Sequence, residues 1–146
     1  MIRKATVEDL QTVEPLAREF YASSKALYQF KLNKFCTLWK SLIENDTGVI
    51  FMAFDDEKFI GAIGGVCYPD AYSEDMIATE FFWYITPAKR GRGMALYEKY
   101  EEWARSKNCN RIRMAHLCDL MPDALRWLYT ELGYRPVEVT YEKELN

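Results

Sequence analysis

The chain has 146 residues, 49% of them hydrophobic and 15% aromatic, and a net charge of −3. That is ample material for a core, and the acidic balance argues against a nucleic-acid partner, since such a coat needs clustered Lys and Arg to release counterions. Cys36, Cys67, Cys109 and Cys118 form no C-x-x-C pair and His116 is the single histidine, so no metal site is expected and the cysteines read as free thiols of a reducing compartment.

Ile2 to Ala5 reads as a short strand, and Thr6-Val7-Glu8-Asp9 has the form of a capping box opening a helix to about Ala22. The N-terminus is charged where a signal peptide needs an apolar run. No stretch approaches the roughly 20 apolar residues that span a bilayer, so the expectation is a cytoplasmic protein with no membrane contact. Leu32, Phe35, Trp39, Leu42 and Ile43 recur at helical spacing and predict a second helix ending near Asn45. The stretch from Thr47 to Tyr68 then reads as two apolar strands joined by a turn at Asp55 to Lys58. An acidic, tyrosine-bearing loop follows, and "MIATEFFWYIT" from Met76 to Thr86 is a long strand.

At "TPAKRGRGMALYEKYEEWA" a strand feeds a helix through Pro87, two glycines and three cationic side chains. The helix packs through Leu96, Tyr100, Trp103 and Ala104. "RIRMAHL" predicts another strand, "PDALRWLYTEL" a helix opened by Pro122 and closed by Gly133, and "VEVTYEKEL" a final alternating strand. No linker or repeat divides the chain, so one domain over 1–146 is expected. The fold class is α/β (α+β), with a central mixed, mostly antiparallel sheet flanked by about four helices.

Amides at a helix start lack internal partners and carry the positive end of the helix dipole, so the Gly91–Gly93 turn is suited to an anion. Glycine there permits close backbone approach or positive φ. A G-x-x-x-x-G-K-[ST] loop is absent, and a dinucleotide G-x-G-x-x-[GA] pattern fails at Leu96. What the stretch does contain is Arg90-Gly91-Arg92-Gly93-Met94-Ala95, an R-x-x-G-x-A pattern. With the "IRKATVEDL" opening, the hairpin and the "ALRWLYTELGY" ending, the chain resembles the GCN5-related N-acetyltransferase (GNAT) family over nearly its whole length.

That resemblance implies an acetyl-CoA-dependent N-acetyltransferase with a primary amine as acceptor, small molecule or protein. A catalytically inactive module of the same fold, binding coenzyme A or a protein partner, is the alternative. The coenzyme's pyrophosphate would lie on Lys89, Arg90, Gly91, Arg92, Gly93, Met94 and Ala95, with its arm passing Tyr84 and Ile85. A second register takes Gly91 and Gly93 as the signature pair and puts Ala88 where the family has Gln or Arg. Three or four aimed amides at roughly 1.5–3 kcal/mol each supply most of a micromolar affinity, ~8 kcal/mol. The Asn the family often carries after the fifth strand is replaced by "CDLMPD", which offers Asp119 or Asp123 instead.

Acyl transfer to an amine needs a base, a home for the oxyanion and a proton for the departing thiolate. Glu80 is the only carboxylate in the run Met76 to Thr86, and burial among aromatics raises a carboxylate's pKa toward neutrality. Strict alternation puts it on one face with Phe82 and Tyr84. The other reading of Glu80 is an edge carboxylate paired with a Lys or Arg. The family's Tyr falls on Tyr129, counting back from Gly133; it is the candidate acid or a packed ring. A backbone N–H near Tyr84 or Ile85 is the implied oxyanion donor. His116 shares a face with Ile112 and Met114 and reads as packed, and Cys118 has no histidine other than His116 to activate it. The acceptor groove is implied at the first two helices and the acidic loop, with Tyr28, Phe30, Tyr72 and Glu74 as candidates; Asp70, Asp75 and Tyr68 accompany them for a cationic amine. A homodimer exchanging the last strand is a further expectation.

Overall fold

The computed structural model describes residues 1–26, 28–118 and 120–145. They fall into two compact units, 1–115 and 116–146.

The first unit holds the sheet: β1 (Ile2–Lys4), β2 (Gly48–Asp55), β3 (Lys58–Pro69), β4 (Met76–Ile85) and β5 (Arg111–Arg113), in that spatial order. Neighbours are antiparallel up to β4, and β5 runs parallel to β4, so the sheet is mixed. α1 (Leu10–Ser23) follows a 3-10 turn at Val7–Asp9, α2 is Leu32–Glu44, and α3 (Gly93–Ser106) follows a 3-10 turn at Pro87–Arg92. The expected capping residue acts as such: the Thr6 N–H donates to Asp9 Oδ2 at 2.7 Å, and Arg3 grips the same carboxylate at 2.6 and 2.9 Å.

Alternation divides the core between the two sheet faces. Val49, Phe51 and Ala53 of β2 join Ile63 and Cys67 of β3 under Leu96, Tyr100, Trp103 and Ala104 of α3. Ile50, Met52, Ala62 and Val66 meet Leu10, Val13 and Leu16 of α1 and Trp39 of α2. The continuous apolar runs of β2 and β3 follow from this, because both of their faces are covered.

The β3–β4 register shifts between Gly64 and Gly65: Gly64 faces Phe82 while Gly65 faces Glu80, which leaves Phe81 as an extra residue in β4. This is a β-bulge. The two glycines let neighbours approach. A Cβ on Gly64 would stand 2.5 Å from the Phe82 ring, and one on Gly65 would stand 2.5 Å from Tyr100 Cε2 and 2.8 Å from the Thr79 carbonyl oxygen. The bulge also corrects the strict alternation of β4. Glu80 lies on the face of Ala78, Trp83 and Ile85, opposite to Phe82 and Tyr84.

Two further expectations change. β5 ends at Arg113, so His116 is not on it, and the Ala115 N–H donates to the Glu80 side chain. Residues 135–145 form no strand, and Val137, Val139, Tyr141 and Leu145 are exposed. Alternation says which face a strand would bury, but a strand forms only against a partner edge. In the second unit, α4 (Pro122–Glu131) is closed by Gly133 at φ +89°, as its sequence predicts.

Gly65→Ala is expected to lower stability by about 1–3 kcal/mol through overpacking, while Gly91→Ala, whose Cβ meets nothing within 4 Å, should change it by less than about 0.5 kcal/mol. Urea unfolding of the two variants checks this, and equal losses would contradict the account of the bulge.

Candidate active site

β4 carries the candidate base, Glu80, where its pairing with β5 stops. The β4–β5 ladder covers Ile77–Arg111 to Thr79–Arg113, and β4 then continues from Glu80 to Ile85 beyond it. Glu80 is the first residue past the last pair. The residue is 9% exposed, and its Oε2 accepts the Ala115 N–H at 3.2 Å. Burial pushes its pKa up to about 7, against a smaller opposing effect of that hydrogen bond. No Lys or Arg pairs with it among the described residues, so the edge-carboxylate reading is set aside.

At the end of β4, Tyr84 and Ile85 are buried on opposite faces. The Tyr84 hydroxyl donates to Glu19 Oε1 of α1 at 3.1 Å, its ring meets Phe20 edge-on at 6.0 Å, and the Arg90 guanidinium stands 5.8 Å from its centre. Pro87 then opens the 3-10 turn, the Lys89 N–H returns to the Thr86 carbonyl at 2.8 Å, and the Gly93 N–H closes on the Arg90 carbonyl.

Neither glycine of the turn takes a positive φ, contrary to one of the two options their presence offered. Gly93 sits buried with Trp83 atoms 3.5 Å from where a Cβ would be. Gly91 is exposed with open space around it, Met94 is half-buried and Ala95 exposed. Lys89 and Arg92 each contact Asp55, at the end of β2, at 2.8 Å. Exposed backbone, the start of a 14-residue helix and three cationic side chains thus coincide. These are the features a pyrophosphate needs.

The candidate acceptor residues separate into two groups. Tyr28 and Phe30 lie 5.3 and 5.9 Å from the Tyr21 ring, and Phe30 passes contact through Phe35 and Trp39 to Phe81 and Phe82 of β4. Arg18 covers Phe30 at 5.4 Å. In the acidic loop, Asp70 and Asp75 are paired with Arg111 at 2.8 and 3.1 Å. Tyr68 bonds Thr79 at 2.9 Å, Tyr72 is 96% exposed, and Glu74 is exposed too.

In the second unit Tyr129 is buried in the last turns of α4, its ring 5.7 Å from Tyr134, whose N–H returns to the Tyr129 carbonyl. Asp123 lies in the first turn of α4, and Asp119 lies outside the described residues. His116 is half-buried with Nδ1 lacking a hydrogen-bond partner among the described residues, and Cys118 is exposed. Among the described residues no group of three His, Cys, Asp or Glu could hold a metal, and no helix is long and apolar enough to cross a membrane. Asp55, Glu19 and Phe81 are contacts that sequence reading missed. Nothing local marks the first two, whereas a Gly-Gly pair opposite an aromatic run is a signal for the bulge at the third.

The model of the Acetyltransferase (GNAT) family matches residues 10–134. The chain belongs to that family. No curated protein matches the sequence. Among solved structures, a predicted acetyltransferase with acetyl-CoA from Clostridium acetobutylicum is similar in fold, with a TM-score of 0.81 and 15% identity over 99% of this chain and 95% of that one. So is AAC(6')-Iy in complex with a bisubstrate analog, CoA-S-monomethyl-acetylneamine (0.76 and 15%, over 99% and 98%). A ribosomal-protein-alanine N-acetyltransferase from Brucella melitensis biovar Abortus 2308 gives 0.72 and 15%, over 99% of each chain. The GNAT match spans β4, the glycine-arginine turn and α4, so every element carrying a candidate residue lies within it.

The Glu80 carboxyl has a folded-state pKa above its ordinary 4.5. Its contribution to stability is therefore fully present below pH 4.5 and lost as pH rises through about 7. Relative to Glu80→Gln, wild-type stability should fall across that window and run parallel above it. Denaturant melts over the same range check this, and parallel curves throughout would contradict a buried, proton-hungry Glu80.

Proposed function

We propose that this GNAT acetyltransferase moves an acetyl group from acetyl-CoA to a primary amine, small molecule or protein, by direct transfer in a ternary complex. The carrying observation is Glu80: a buried carboxyl pushed up to about 7, placed where β4 runs on past its pairing with β5. At neutral pH such a group is divided between its two forms, as a general base requires. It takes the proton that the acceptor's ammonium must lose before its nitrogen can attack.

Acetyl-CoA would supply the activated acyl group as a thioester. Its pyrophosphate is assigned to the backbone around Gly91 and Gly93, with Lys89, Arg90 and Arg92 adding charge, and its arm to Tyr84 and Ile85. A backbone N–H at Tyr84 or Ile85 stabilises the charge that develops on the acyl oxygen. Tyr129 is assigned the proton for the departing thiolate, on its match to the family's terminal Tyr and Gly spacing; a phenol of pKa ~10 suits a thiolate of similar basicity. Direct transfer is supported by three of the four cysteines. Burial pushes the Cys36, Cys67 and Cys109 thiols up, the opposite of an activated nucleophile. In this reading residues 1–146 are taken as one N-acetyltransferase domain.

For the acceptor, the aromatic path from Tyr28 and Phe30 to Phe81 and the carboxylate of Glu19 favour an amine with apolar surface. Tyr72 and Glu74, exposed in the separate acidic loop, remain candidates.

Thermal shift should show stabilisation by acetyl-CoA and coenzyme A but not by ATP or NADH, about 2.7 kcal/mol at 100 times the dissociation constant. Glu80→Gln and Tyr129→Phe should each lower turnover by roughly 10²-fold or more with coenzyme affinity nearly intact. No shift with acetyl-CoA would overturn the cofactor assignment. Binding without turnover on any amine would instead leave a binding module.

A further inference from the structure

Asp55 stands outside every role assigned so far. It ends β2 at the hairpin, and its carboxylate accepts Lys89 on Oδ2 and Arg92 on Oδ1, both at 2.8 Å. In a 3-10 helix residues three apart eclipse one another. Lys89 and Arg92 therefore share one face of the Pro87–Arg92 turn, and that face is turned toward Asp55.

The turn's backbone does not depend on these ion pairs. Pro87 fixes its first φ, the Lys89 and Gly93 amides bond within the turn, and Gly93 is seated on Trp83. The paired side chains are substantially exposed, a setting in which such pairs contribute little to folding. Their consequence is electrostatic. Lys89, Arg90 and Arg92 present three positive charges to an arriving anion, and Asp55 cancels one of them while occupying two of the side chains. Hydrogen bonds from Lys89 and Arg92 hold the Asp55 carboxyl below its ordinary range, so it stays charged at neutral pH.

We propose that Asp55 is an affinity-limiting residue, an internal carboxylate that competes with the coenzyme's phosphates for Lys89 and Arg92. The inference rests on the reading that acetyl-CoA binds this turn. Each turnover leaves coenzyme A on the enzyme, and a carboxylate ready to take the two cations back speeds its departure. Asp55 touches no reacting atom in this account; it positions the cations.

The test is calorimetric titration of coenzyme A into the full chain at low and high salt. Asp55→Asn should bind about fivefold more tightly at low salt, the order of one exposed charge pair, with the gain shrinking as salt screens it. Lys89→Met with Arg92→Met should weaken binding, and adding Asp55→Asn to that pair should gain nothing. Unchanged or weaker binding by Asp55→Asn, or a gain that survives loss of both cations, would overturn the inference. If Asp55→Asn does not fold, Asp55→Ser takes its place with the same two expectations, tighter binding alone and no gain on top of the double Met variant, and failure of either overturns the inference. Absence of binding by the wild type overturns the cofactor reading and this inference with it, whereas wild-type binding without the Asp55 effect overturns this inference only.

Discussion

The extra residue at Phe81 decides which way the side chains of β4 point, and with them the chemistry the strand carries. Without it, Glu80 would lie on the face of Phe82 and Tyr84, against α1 and α2. With it, the carboxyl goes to the face of Ala78 and Trp83 and meets the Ala115 amide past the end of the β4–β5 ladder. One inserted residue re-aims one side chain. Gly64 and Gly65 make the insertion possible by leaving room for Phe82 on one face and Tyr100 on the other.

The same bulge ties the aromatic path proposed for the acceptor to Glu80. Phe81 is 49% exposed yet meets Trp39 edge-on at 5.9 Å, and Trp39 connects through Phe35 to Phe30. A change in the loop between α1 and α2 therefore has a packed route to the residue beside Glu80. On the coenzyme side the logic is electrostatic rather than steric. The turn is held by its backbone, and its cations are shared out, two to Asp55 and one over the Tyr84 ring.

Most of the sheet was legible because β2, β3 and β4 are long apolar runs between clear turn signals, and α3 and α4 announce themselves by Gly93, Pro122 and Gly133. The glycine-arginine turn was legible as the junction of β4 and α3, and the GNAT resemblance stands. The face of Glu80 was not legible, since a period-2 reading has no place for an extra residue. The pairing of the acidic loop was not legible for a related reason: Asp70 and Asp75 look solvated along the chain, but Arg111 of β5, 36 residues from Asp75, bonds both. The final strand failed because alternation in Val137 to Leu145 specifies a face without supplying a neighbour.

The account turns on a buried carboxyl at Glu80 that titrates near neutrality, and direct observation of that titration is its closest test. Carboxyl-carbon NMR of the chain labelled at glutamate, with Glu80→Gln to assign the signal, follows the proton without any acceptor or coenzyme. The account predicts a midpoint at about 7. A midpoint near the ordinary 4.5 would mean that Glu80 is solvated, that the bulge does not bury it, and that the base must be sought elsewhere.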